Sequence, residues 1–104
     1  MPVVDPNTTP VFFTEAVAGA TLTAGQVSVA NTATQIVAAN TSRYSIVIRN
    51  NGTATVFLGP ANTVTTANGH TLGAGETITF STSSAIYGIV ATGTNAVSFM
   101  QEAI

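Results

Sequence analysis

The chain has 104 residues, 45% of them hydrophobic and only 6% charged, with a formal net charge of −2 and no cysteine. That length holds one domain with a modest core, and the missing cysteines exclude disulfide staples, thiolate metal sites and a cysteine nucleophile. Arg43 and Arg49 are the only fixed cations, too few to neutralise a phosphate backbone or to gather at an anionic membrane, so no nucleic-acid and no membrane partner is expected.

Ordinary soluble domains are roughly 25% charged. A surface built instead from Thr, Ser and Asn suits burial in an assembly, where strongly hydrated Lys and Glu would have to be stripped of water. Disorder is excluded, because disordered chains combine low hydrophobicity with high net charge.

In chain order, residues 1–25 read as an N-terminal arm and join, and 26–104 as the folded domain. Met1 to Asn7 lacks the basic start and apolar run of a secretory signal. Pro2, Pro6 and Pro10 each remove a backbone donor and favour extended geometry. Phe12 and Phe13 follow as adjacent aromatics. They fit either a short edge strand over the domain's own core or an arm laid on a neighbouring subunit. Ala16 to Gly25 is small-residue sequence, too short for a membrane span, and reads as a flexible join.

From Gln26 onward the apolar period is two. Val27 and Val29 mark a short strand, and Gln35–Ala38 another. In Tyr44–Arg49, Tyr44, Ile46 and Ile48 share one face and Ser45, Val47 and Arg49 the other. Asn51-Gly52 then looks like a tight hairpin turn into Thr55–Leu58, with Asn50-Asn51 an equally good central pair. Val64–Thr66 fits a short strand, and Asn68-Gly69-His70 a loop tip. Leu72–Glu76 is a glycine-rich turn into Thr77–Phe80, and Ile86–Val90 and Ala96–Met100 close the domain. No window carries helical periodicity over a useful length. The expected class is all-β: a single antiparallel β-sandwich, jelly-roll or Ig-like, of seven or eight strands.

Chemistry is sparse. The acids are Asp5, Glu15, Glu76 and Glu102, and His70 is the one imidazole. No serine sits in a nucleophile elbow, and no carboxylate pair is spaced for glycoside hydrolysis. Gly73-Ala74-Gly75 lacks the Lys-Ser/Thr of a phosphate loop. No catalytic, cofactor or metal residues are therefore assigned; His70 could hold a metal only if an oligomer's axis brought several copies together. Arg43 and Arg49 are each expected to meet a carboxylate, within the subunit or across an interface. Tyr44 and Tyr87 are read as core or rim residues, with sugar stacking as their alternative use.

From Val27 to Glu102 the chain resembles small virion structural proteins of tailed bacteriophages. The likeness rests on Asn31-Thr-Ala-Thr-Gln-Ile-Val-Ala-Ala-Asn40, Arg43 with Ser45-Ile-Val-Ile-Arg-Asn-Asn-Gly52, and Val56-Phe-Leu-Gly-Pro60. Leu72-Gly-Ala-Gly-Glu76 and Ala85-Ile-Tyr-Gly-Ile89 continue it. These are fold-forming residues rather than a chemical motif. The resemblance implies a non-enzymatic decoration (cement) protein on the outer capsid surface of the virion, made in the host cytoplasm. Its implied partners are the major capsid protein and copies of itself, a homotrimer above other oligomers. Pro10, Phe12, Phe13, Arg43 and Arg49 are the expected contact residues. The alternatives are a tail- or fibre-associated host-attachment component and a glycan-binding β-sandwich module.

Overall fold

A computed structural model describes residues 21–104, and all eight of its regular elements are strands. They are β1 (Thr21–Ala30), β2 (Thr34–Val37), β3 (Arg43–Asn50), β4 (Val56–Gly59), β5 (His70–Leu72), β6 (Thr77–Phe80), β7 (Ile86–Ile89) and β8 (Thr94–Ala103). Two antiparallel four-stranded sheets result, in the orders β1-β8-β3-β6 and β2-β7-β4-β5.

The pairing has a simple rule. β1 pairs with β8, β2 with β7, β3 with β6 and β4 with β5. The chain thus behaves as one long two-stranded ribbon, doubled back at residues 60–69, whose successive rungs alternate between the sheets. Rolling the ribbon up adds the β3–β8 and β4–β7 pairs that complete each sheet.

Period two explains which residues face inward. Val29, Ile46, Ile48 and Val97 from the first sheet meet Ile36, Val56, Leu58, Leu72 and Ile86 from the second in one buried cluster. Val27, Ile78, Phe80 and Phe99 pack around it, half-buried. Each fully buried Val, Ile or Leu contributes roughly 1.5–3 kcal/mol of transfer free energy.

The hairpin expected at Asn51-Gly52 is absent: β3 lies in the first sheet and β4 in the second, so residues 51–55 cross between sheets. Gly52 has no positive φ, whereas Gly75 and Gly93 do, at 77° and 68°. Two asparagine side chains build the corner instead. Fully buried Asn50 donates through Nδ2 to the carbonyls of Ala54 (2.7 Å) and Leu72 (2.9 Å), and its Oδ1 accepts from the Gly52 amide (2.9 Å). Asn95 Nδ2 donates to Asn50 Oδ1 (2.6 Å), and Asn95 Oδ1 accepts from the Ala54 amide (3.1 Å). The short polar side chain that favours a turn in sequence here satisfies the backbone of an inter-sheet crossing.

Glycine at 52 serves close approach. A Cβ there would stand 1.9 Å from Asn95 Oδ1, whereas one at Gly75 would meet nothing within 4 Å. Gly52→Ala is therefore expected to lower stability by about 2–3 kcal/mol by expelling Asn95. Gly75→Ala should cost about 1 kcal/mol, the left-handed backbone term alone. Thermal unfolding of both variants checks this, and equal losses would sink the crowding account.

Other boundaries differ as well. β1 begins at Thr21, inside the stretch read as a join, and β8 reaches Ala103. Val64 lies in the 60–69 loop rather than in a strand, with its side chain buried. His70 opens β5 and pairs with Leu58 rather than capping a loop.

Candidate contact surface

The first sheet's outer face can be assembled from its ladder. Leu22, Glu102 and Ser45 lie side by side in one row, and Ala24, Met100 and Val47 form the next. Gln26, Ser98, Arg49 and Thr77 form the third. Leu22 is 66% exposed and Met100 46%. A shallow depression of about 510 Å³ runs over this face, lined by Ala24, Gln26, Val47, Arg49, Ser98 and Met100. It is a largely apolar strip with one guanidinium beside it. Such a strip can seat apolar side chains and give a carboxylate or carbonyl a charge-assisted donor.

Arg49 is exposed on this face. Arg43 is not: it is buried, and its partners are neutral oxygens rather than the expected carboxylate. Its Nε donates to Gln101 Oε1 (2.8 Å), Nη1 to the carbonyls of Thr82 (3.0 Å) and Ser84 (2.7 Å), and Nη2 to the Ala38 carbonyl. A β-bulge puts it there. Arg43 opposes Ala103 and Ser45 opposes Glu102, so Tyr44 is the extra residue. The bulge shifts the alternation. Arg43 turns inward with Ile46, and Tyr44, expected to share the face of Ile46 and Ile48, is 51% exposed. Burial lowers the guanidinium's pKa from its ordinary value, but an arginine with such a fork of acceptors stays charged.

A second depression, about 390 Å³, opens between the sheets on the side of β5 and β6. Leu58, Pro60, Ile78, Phe80 and Ile86 give it apolar walls, and exposed His70 stands at its rim. Among the described residues no three His, Cys, Asp or Glu side chains group as metal ligands. Tyr87 is half-buried, its hydroxyl accepting from Gln35 Nε2 (3.2 Å). Glu76 closes the glycine-rich turn by accepting from the Gly73 amide at 2.6 Å.

Family models, curated proteins and solved structures were all compared with this chain, and none matches.

Of the residues expected from sequence to make contacts, Arg49 alone is placed on this open face. Pro10, Phe12 and Phe13, like Asp5 and Glu15, lie outside the described residues. Leu22 and Met100 were not expected as contacts, and Val47 was read only as sharing the face of Arg49. The one signal for Leu22 and Met100 was membership of the outward parity of long strands, obscured in β1 by small residues.

Proposed function

We propose that the chain is a non-enzymatic structural protein of a phage virion, a decoration protein that seats on the outer capsid shell. The observation that carries this reading is the nested strand pairing, β1–β8 through β4–β5. That is the arrangement of a jelly-roll sandwich, an eight-stranded double sheet used by viral capsid and lectin domains. Fold alone assigns no function. The resemblance of residues 27–102 to small virion proteins and the scarcity of charge supply the rest.

On this reading the first sheet's outer face is the contact surface. Leu22, Val47 and Met100 seat against the major capsid protein, and Arg49 takes a carboxylate or a backbone carbonyl of the shell. Self-association, with a trimer favoured, multiplies modest contacts per subunit into tight attachment through high effective concentration. Purified protein mixed with undecorated heads should cosediment saturably, with electron microscopy placing it at regular shell positions. Met100→Asp should weaken that binding at least tenfold while leaving the unfolding midpoint within a few degrees, because the side chain is largely outside the core. Density confined to tails or fibres, or no binding, would overturn the proposal.

A glycan-binding role is the second reading, favoured by one observation: Tyr44 stands exposed on its bulge. It predicts that Tyr44→Ala abolishes retention on a host-polysaccharide column.

A further inference from the structure

Glycine follows asparagine at two places, Asn51-Gly52 and Asn68-Gly69. That order matters chemically, because asparagine is a thermolabile residue and a glycine has no side chain to keep its amide nitrogen away from the preceding Cγ. Both asparagines are exposed, but the fold holds the two pairs differently. Asn68 is pinned at both ends of its amide: Oδ1 accepts from the Thr65 amide (2.7 Å) and Nδ2 donates to the Thr63 carbonyl (3.3 Å). The Gly69 amide is engaged as well, donating to the Thr65 carbonyl (2.9 Å). At the other pair the hold falls on the glycine. The Gly52 amide donates to Asn50 Oδ1 (2.9 Å), and that oxygen is shared with Asn95 Nδ2 (2.6 Å).

We propose that Asn51 is a site of spontaneous covalent modification, passing from asparagine to aspartate and isoaspartate, and that the Asn50 side chain sets its rate. The Gly52 amide nitrogen gives up its proton and attacks Asn51 Cγ. The N–Cγ bond forms, the Cγ–Nδ2 bond breaks, and Nδ2 leaves as ammonia with that proton, closing a cyclic imide. Water then opens the ring at either carbonyl, giving aspartate or isoaspartate. One water is consumed, one ammonia is released, and nothing is oxidised or reduced. While Asn50 Oδ1 holds the Gly52 N–H, the nucleophile is engaged, and each opening of that hydrogen bond frees it. At Asn68 the reacting carbon is tethered too, so several holds must fail together.

The products act on the crossing between the sheets. Isoaspartate carries the main chain through Cγ and so adds one methylene between the amides of residues 51 and 52. Those amides are anchored, the first to the Ala96 carbonyl (3.0 Å) and the second to Asn50 Oδ1. A longer path between two fixed points obliges one of them to let go. Asn50 is the side chain that braces the carbonyls of Ala54 and Leu72 at this corner, so losing its grip on Gly52 loosens the crossing. Either product also places a new carboxylate there. The inference does not depend on the capsid reading, since it concerns the chain's own chemistry.

Incubation of the full chain in warm, mildly alkaline buffer, followed by tandem mass spectrometry of chymotryptic peptides, tests this. In the native protein the amide-to-acid mass change should accumulate at Asn51 about fivefold faster than at Asn68, or more, the factor that one hydrogen bond of ordinary strength supplies. In concentrated urea the two rates should converge. Equal native rates, or no change at Asn51 over the time in which the urea sample reacts fully, would overturn the site. Asn50→Ala, kept well below its unfolding temperature, should quicken Asn51 by about fivefold or more and leave Asn68 as it was. An unchanged Asn51 rate, or a parallel rise at Asn68 (which reports global unfolding), would overturn the gate. The isoaspartate form, separated by anion exchange, should unfold at a lower urea midpoint than the unmodified protein. An identical midpoint would overturn its effect on the crossing.

Discussion

Asn50→Ala is expected to lower the unfolding free energy by about 3–4 kcal/mol, a large part of the 5–15 kcal/mol typical of a domain. The substitution removes a side chain that is fully buried and makes four hydrogen bonds at the inter-sheet crossing. The carbonyl of Leu72 and the amide nitrogen of Asn95 lose a partner far from water, and a void forms between the sheets. Asn50→Asp sharpens the test. An aspartate of the same shape turns an oxygen toward the carbonyls of Ala54 and Leu72, an arrangement tolerable only while that oxygen carries a proton. Its folded-state pKa should therefore lie above the unfolded value of about 3.9. For a raised pKa, the contribution to stability is fully present below the unfolded value and disappears as pH rises through the folded one. Urea titrations should find Asn50→Asp weaker than wild type at every pH, because a protonated carboxyl donates to only one of the two carbonyls, but strongest near pH 3 and progressively weaker towards neutrality. A pH-independent deficit would refute the assigned orientation of the amide.

Arg43→Met should cost about 3–5 kcal/mol. Methionine fills much of the volume but strands the carbonyls of Ala38, Thr82 and Ser84, which the guanidinium satisfies from one position. Arg43→Lys should recover less than half of that loss. An ammonium is a point donor and cannot reproduce a planar fork spread over three carbonyls and the Gln101 amide oxygen. Equilibrium unfolding in urea measures both variants. A lysine variant as stable as wild type would mean that charge, and not geometry, is what the site requires. Because these partners span the segment after β2, the segment before β7 and strand β8, the loss should appear as a lower midpoint for the whole domain.

The class of the fold was legible because it depends on parity. Ile46 and Ile48, Val56 and Leu58, and Ile78 and Phe80 alternate with polar or smaller neighbours, and each set faces the core or its margin. What was not legible depends on partners distant in sequence. Asn51-Gly52 carries the composition of a hairpin, but whether the next strand returns beside the first or crosses the core is decided by Asn95, more than forty residues away. Tyr44 was read on the inward face because a bulge adds one residue without changing the composition of the strand. Arg43 was given a carboxylate because ion pairing is the usual fate of a scarce cation. The chain instead brings three carbonyls and an amide oxygen to it, and carbonyls leave no trace in sequence. The start of β1 was missed because Thr21–Gly25 is held by its ladder to β8 rather than by apolar side chains of its own.

The nested ribbon also governs how the molecule is made. Only β4 and β5 are near neighbours in the chain. Each further pair encloses all those inside it, until residues 21–30 meet 94–103. Loop-closure entropy grows with the length enclosed, so joining β1 to β8 directly from the open chain is the costliest step, and forming the inner pairs first shortens what remains to be closed. Such a topology has high contact order and belongs with the slow folders, in the millisecond-to-second range. On a ribosome the first strand must wait for the last. During that interval two ten-residue strands with a single charge between them lack their principal partner, and the nascent chain is most exposed to pairing with another copy of itself.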